Sequence, residues 1–113
     1  MSEIFKREGK IVVVSMKNDL TASTGSLFRE TILNYDGANP GIQEWILDME
    51  GVDFLDSSGL GVLVALLKRI AEKGGDIKLA NLRKKVRTVF EITRAFRIFH
   101  AYESVEEAVK AIP

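Results

Sequence analysis

The residues with the most chemical potential in this chain are the consecutive Asp56-Ser57-Ser58-Gly59-Leu60-Gly61. One carboxylate and two adjacent hydroxyls follow the apolar exit of an expected strand and enter an expected helix. That helix shows one apolar face through Leu60, Leu63, Val64, Leu67, Ile70 and Ala71. A strand-to-helix turn leaves N–H groups unpaired and presents the positive end of the helix dipole, so it favours negative charge. A hydroxyl there is placed to carry a phosphate. Gly59 and Gly61 let another surface approach the first turn, although each weakens the helix by about 1 kcal/mol relative to Ala. The same residues also read as an ordinary helix cap whose glycines admit close packing. No Lys-Ser or Lys-Thr follows the glycines, so this is no phosphate-binding Walker loop, and Gly-x-Ser-x-Gly is not matched.

Other chemistry is sparse. Cys is absent and His100 is the only histidine, which removes thiol nucleophiles, disulfides and zinc sites built on Cys or paired His. Asp19 and Asp56 are candidates for paired carboxylates at one sheet edge, yet no nucleophile has a base beside it. The expectation is a protein that is not an enzyme and needs no cofactor. His100 follows an apolar run and reads as structural, and Trp45 with Leu47 and Met49 on alternate positions reads as core. Leu60 is open to two readings, an exposed partner contact or a buried residue under the sheet.

The positioning elements follow from periodicity. Ile4-Phe5 and residues 11–14 read as two strands around Gly9, because β-branched residues fill the second and the glycine supplies the reversal. Leu27, Phe28, Ile32 and Tyr35 recur at helical spacing over residues 22–35, with Thr21, Ser23 and Thr24 as N-cap candidates. Residues 34–41 concentrate Asn, Asp, Gly and Pro and read as a surface loop. Residues 44–49, then 52–55, read as a buried strand and its exit. Gly74-Gly75 ends the helix after Asp56, and residues 77–80 form another strand. Asn81 is expected to cap a basic helix that buries Val86, Val89 and Phe90. Residues 96–99 read as a last strand. Ser104-Val-Glu-Glu107 is a capping box opening a final helix with Val105, Ala108, Val109 and Ile112. An opening hairpin followed by alternating strands and helices predicts one α/β domain over residues 1–113: about five strands, mostly parallel, and about four helices. Ligand sites in such sheets lie beyond the carboxyl ends of strands, which singles out the turns after Val14 and Leu55.

Residues 54–62, Phe-Leu-Asp-Ser-Ser-Gly-Leu-Gly-Val, resemble the signature of STAS domains, specifically the bacterial anti-sigma-factor antagonists. The resemblance extends to the opening hairpin, Asp19, the double glycine, Ala80-Asn81-Leu82, and residues 97–99 through 104–108. It implies that Ser57 is the phosphorylated serine, with Ser58 as the alternative acceptor. It also implies partner contacts at Asp19, Asp56, Ser58, Gly59, Leu60 and Gly61. The implied mechanism is a switch: the unphosphorylated domain binds an anti-sigma-factor serine kinase and frees a sigma factor, phosphorylation breaks that complex, and a serine phosphatase restores it. One departure is visible: the family commonly has a Gly in the turn before the Asp, where this chain reads Ser15-Met16-Lys17-Asn18-Asp19. A ligand-binding STAS module recognising a nucleotide, lipid or other anion is the alternative.

Charge narrows the partners. The 16 Lys plus Arg balance 16 Asp plus Glu, so no global field attracts nucleic acid or anionic membrane. Residues 68–97 nevertheless hold 10 basic and 3 acidic residues, a net +7, which leaves 6 basic and 13 acidic elsewhere, a net −7. Solvated helix faces account for the basic stretch, since it lacks the interleaved aromatics of a nucleic-acid binder. The longest apolar run, residues 60–67, falls far short of the roughly 20 residues a membrane span requires. The charged residues after Met1 are unlike a signal peptide, so a cytoplasmic protein is expected.

Overall fold

Gly9 takes a φ of +60° and turns β1 (Ile4–Glu8) into β2 (Ile11–Ser15). A computed structural model describes residues 3–113, so expectations touching Met1 and Ser2 lie outside the described residues. After the hairpin come α1 (Ala22–Ala38), β3 (Glu44–Asp48), α2 (Ser57–Glu72), β4 (Asp76–Ala80), α3 (Lys84–Ile92), a 3-10 turn at Ala95–Arg97, β5 (His100–Tyr102) and α4 (Val105–Lys110). The strands lie in chain order, with β1 antiparallel to β2 and every later pair parallel. The predicted α/β architecture, five strands and four helices, is the one observed.

Alternation divides the sheet into two faces. Val12, Trp45 and Ile77 share one register row and Val14, Leu47 and Leu79 the next. These residues join Phe28, Ile32, Leu63, Val86 and Phe90 from α1, α2 and α3 in the main core. On the other face Ile46 and Ala80 pack against Ala108, Val105 and Ile112 around α4. Core burial of this kind contributes about 25 cal/mol per Å² of apolar area removed from water.

Three boundaries differ from expectation. Helix α1 continues through most of the anticipated 34–41 loop, because tertiary contacts outweigh the poor helix formers there. Tyr35 stacks on Phe5 with ring centroids 4.0 Å apart and meets Trp45 edge-on at 6.2 Å. Lys73 pairs with Asp36, and Asn39 Nδ2 donates to the Tyr35 carbonyl at 2.9 Å. The second correction concerns residues 96–99, which are not a strand. Ala95 and Phe99, four residues apart, are the buried pair, and Phe90 stacks on Phe96 while meeting Phe99 edge-on. The strand begins one residue later, at His100, whose side chain is exposed. Third, Asn81 caps nothing: it adopts a φ of +59°, and α3 starts from Arg83 without a side-chain cap. Half of the capping box expected at Ser104 forms, with the Glu107 N–H donating to Ser104 Oγ at 3.1 Å, but the Glu107 carboxylate accepts from Glu103 N, one residue before the reciprocal partner.

Lys78 is the one buried charged residue among those described. Its ammonium lies 2.9 Å from Asp76 and 3.1 Å from Glu44. Burial alone would lower its pKa, but hydrogen bonds and charge from the two carboxylates outweigh that and raise it above the ordinary 10.5. A raised folded-state pKa contributes stability that is complete below the unfolded value and fades as pH rises through the folded one. Removing Glu44 leaves the buried ammonium with Asp76 as its one remaining counter-ion, whereas replacing the cation with an apolar side chain leaves no buried ammonium to compensate. Urea unfolding is therefore expected to show Glu44→Ala less stable by about 1–3 kcal/mol and Lys78→Met less affected or more stable. Lys78→Met should also lose the Lys78 contribution to the decline in stability expected of the wild type as pH rises above 10.5.

Candidate functional site

Three loops meet beyond the carboxyl ends of β2, β3 and β4, and backbone bonds stitch the first two together. Leu20 and Leu55 form an isolated parallel bridge. Leu20 N donates to the Phe54 carbonyl at 3.1 Å and Asp56 N donates to the Leu20 carbonyl at 3.2 Å. The Asp19 carboxylate adds a side-chain clasp: its Oδ1 accepts from Asp53 N at 3.0 Å and Phe54 N at 3.1 Å. Hydrogen bonds to a charged acceptor are the stronger kind, about 1.5–3 kcal/mol each.

The third loop braces the second. Asn81, in the left-handed conformation that Asn tolerates better than most residues, donates from Nδ2 to Asp48 Oδ1 at 3.0 Å. The same oxygen accepts from Glu50 N at 3.2 Å. Arg83 Nε donates to the Glu50 carbonyl at 2.5 Å and lies 3.2 Å from Asp53 Oδ1. Sequence reasoning set Asp48 within range of the Ser57 phosphate but missed its bracing bonds, and it missed Arg83 as part of the site. Asn81 was noticed, but for a different task.

The segment so held delivers the start of α2. Asp56 is its N-cap, extended in backbone, with Oδ1 accepting from Gly59 N at 2.8 Å. Ser57 and Ser58 are the first two helical residues and both are exposed. Among the described residues neither hydroxyl takes a partner within the chain. Apart from the Asp56 cap on Gly59 N, no acidic residue occupies the first turn of α2, which leaves the Ser57 and Ser58 end of the helix dipole open to an added anion.

The two glycines have separate explanations. A Cβ on Gly59 would stand 2.0 Å from the Leu20 carbonyl oxygen, so this glycine lets α2 lie against the bridged strand end. A Cβ on Gly61 would meet nothing within 4 Å. Leu60 is 8% exposed and belongs to the core, which removes it as a surface contact. Gly59 is buried as well. Of the residues expected to touch a partner, Asp19, Ser58 and Gly61 reach the surface with Ser57, and Asp56 does so in part. Asp19 and Asp56 each bond backbone N–H groups, so the structure gives both carboxylates a structural task.

Part of the basic stretch is engaged within the chain. Lys73 pairs with Asp36, Lys78 with Glu44 and Asp76, and Arg83 with Asp53. Arg87 lies over the Phe96 ring at 5.6 Å. Among the described residues no helix is long and apolar enough to cross a membrane.

The STAS domain profile matches residues 4–108. The chain belongs to the STAS domain family. A Thermotoga maritima protein provisionally named as an anti-sigma factor antagonist is 28% identical over 108 residues, covering 96% of this chain and 95% of its own. Its crystal structure superposes with a TM-score of 0.83 at 27% identity, covering 96% of this chain and 92% of that one. The Bacillus cell fate determinant SpoIIAA in its phosphorylated form shares the fold, with a TM-score of 0.70 at 20% identity, covering 99% of this chain and all of that one. So does a murine Solute Carrier 26 anion transporter, with a TM-score of 0.83 at 23% identity, covering 93% of this chain and 18% of that chain.

These contacts separate the roles of neighbouring positions. Gly59→Ala is expected to cost about 2 kcal/mol or more, since backbone must move to admit the methyl group. Gly61→Ala, in open space, should be neutral or stabilising by up to about 1 kcal/mol. Asp19→Ala, which leaves two loop N–H groups without their acceptor, should cost about 1–3 kcal/mol. Urea denaturation of the three variants checks the order.

Proposed function

We propose that this STAS domain is an anti-sigma-factor antagonist controlled by phosphorylation of Ser57. The observation that carries the reading is the contrast at the start of α2. The loop that leads to Ser57 is fixed through Asp53 N, Phe54 N, Asp56 N and Gly59 N, all bonded, whereas among the described residues the exposed Ser57 hydroxyl has no partner. A phosphoryl group can therefore be added without breaking any contact that holds the fold. The curated Thermotoga maritima relative bears the antagonist's name, and SpoIIAA has been solved in a phosphorylated form.

In this reading the unmodified domain binds an anti-sigma-factor serine kinase and thereby frees a sigma factor. The kinase transfers the terminal phosphoryl group of ATP to Ser57 Oγ. The new O–P bond replaces the one to ADP, and the hydroxyl proton departs. A serine phosphatase hydrolyses the ester and resets the switch. The phosphate brings about −1.5 to −2 charge at pH 7. It arrives beside the Asp56 carboxylate and on the loop that carries Asp53 and Glu50, both exposed. Like charge and the cost of dehydrating a phosphate oppose an interface there. The α2 N-terminus favours the same charge, so the domain itself tolerates it.

Incubation with an anti-sigma-factor serine kinase and ATP, followed by mass spectrometry, is expected to place the phosphate on Ser57 and not on Ser58. Ser57→Asp should bind the kinase at least about 10-fold more weakly than the unmodified protein, and Ser57→Ala should bind it without being modified. Equal affinities for the two variants would sink the proposal.

A further inference from the structure

Exposed large apolar side chains occur at Ile4, Leu27, Phe54, Ile92, Ile98 and Val109. Phe54 alone among them lies on the loop that delivers Ser57. It belongs to no helix or strand, yet both of its backbone polar groups are bonded: its N–H to Asp19 Oδ1 at 3.1 Å, and its carbonyl to Leu20 N at 3.1 Å. Val52 and Leu55 on either side are fully buried, so the loop already anchors itself in the core without this ring. Phe54 remains 50% exposed.

An aromatic side chain held this way suits binding better than folding. Half of its apolar surface still faces water, and burial of that surface would be favourable. Its backbone is fixed and only two side-chain torsions remain free, so little entropy is lost when a partner closes over it. Aromatic anchors ringed by polar groups are the residues that dominate interface energetics. The surroundings fit that pattern, with the Asp53 side chain 75% exposed and Glu50, Ser57 and Ser58 also at the surface.

We propose that Phe54 is the apolar anchor of the partner interface, inserted into a pocket of the anti-sigma-factor serine kinase whose rim carries a cation to match Glu50, Asp53 being already paired with Arg83. The inference rests on the partner-switch reading and names what the switch controls. A phosphate on Ser57, three residues along the chain, retains its hydration and holds the partner's pocket away from the ring. The serine governs access, while the phenylalanine supplies the affinity.

Calorimetric titration of a purified anti-sigma-factor serine kinase with wild type, Phe54→Ala, Phe54→Leu and Ser57→Asp, alongside their thermal unfolding, tests this. Phe54→Ala is expected to bind about 30-fold more weakly or worse, the range of an interface hot spot, with an unfolding midpoint equal to or above the wild type's. Phe54→Leu, which keeps an apolar anchor, should recover part of the loss. Undiminished binding by Phe54→Ala, with Ser57→Asp still weakened, would overturn the inference and leave the switch standing. Absence of kinase binding by wild type and Ser57→Ala alike would overturn both. A Phe54-dependent dimer, with kinase affinity unchanged in Phe54→Ala, would assign the ring to a second copy of this chain and overturn the inference.

Discussion

The Asp19 carboxylate holds the functional end of this domain together. By accepting from Asp53 and Phe54 N–H groups, it fixes the loop after β3 against the loop after β2. The Leu20–Leu55 bridge continues that junction, Asp56 then caps α2, and Gly59 allows the helix to lie on the Leu20 carbonyl. These contacts follow one another along the chain, and the Asp19 clasp supplements the direct backbone bonds between Leu20 and residues 54–56 that set the register of the first turn.

The consequence for a switch is a division of labour. Carboxylates that look like recognition groups in the sequence, Asp19 and Asp56, are occupied in shaping the backbone. The groups left for a partner or a modifying enzyme are the Ser57 and Ser58 hydroxyls, the Phe54 ring and the exposed Glu50 carboxylate. A charge added to such a group changes the surface without withdrawing any support beneath it. Arg83 keeps the third loop in register with this surface through Glu50 and Asp53.

The architecture was legible because its signals are local: Gly9 at the hairpin, alternation in β2, and an apolar stripe along α2. The errors arose where distant contacts decide. Nothing near residues 34–38 announces that Phe5 and Trp45 will hold an extra helical turn through Tyr35. The apolar residues 96–99 read as a strand, but their burial follows the four-residue interval from Ala95 to Phe99 around Phe90. At the site, the position of Ser57 follows from the spacing of a strand exit and a helix start. The burial of Leu60 and the clasp at Asp19 depend on how two loops meet, which spacing alone does not encode. Likewise the +7 and −7 segments look like a polar molecule in one dimension, whereas Lys73, Lys78 and Arg83 interleave them in three.

The central claim is that phosphate on Ser57 alters the surface and leaves the loop junction intact. Amide hydrogen exchange of Asp53, Phe54 and Gly59, compared between the unmodified domain and the domain fully phosphorylated at Ser57, tests it most directly. Their N–H groups report on the Asp19 clasp and the Asp56 cap. Protection factors unchanged within about threefold, a shift of less than about 1 kcal/mol in local opening, are the predicted result. Loss of protection at these amides by 100-fold or more, roughly 3 kcal/mol, would contradict the account and make the switch a local unfolding event.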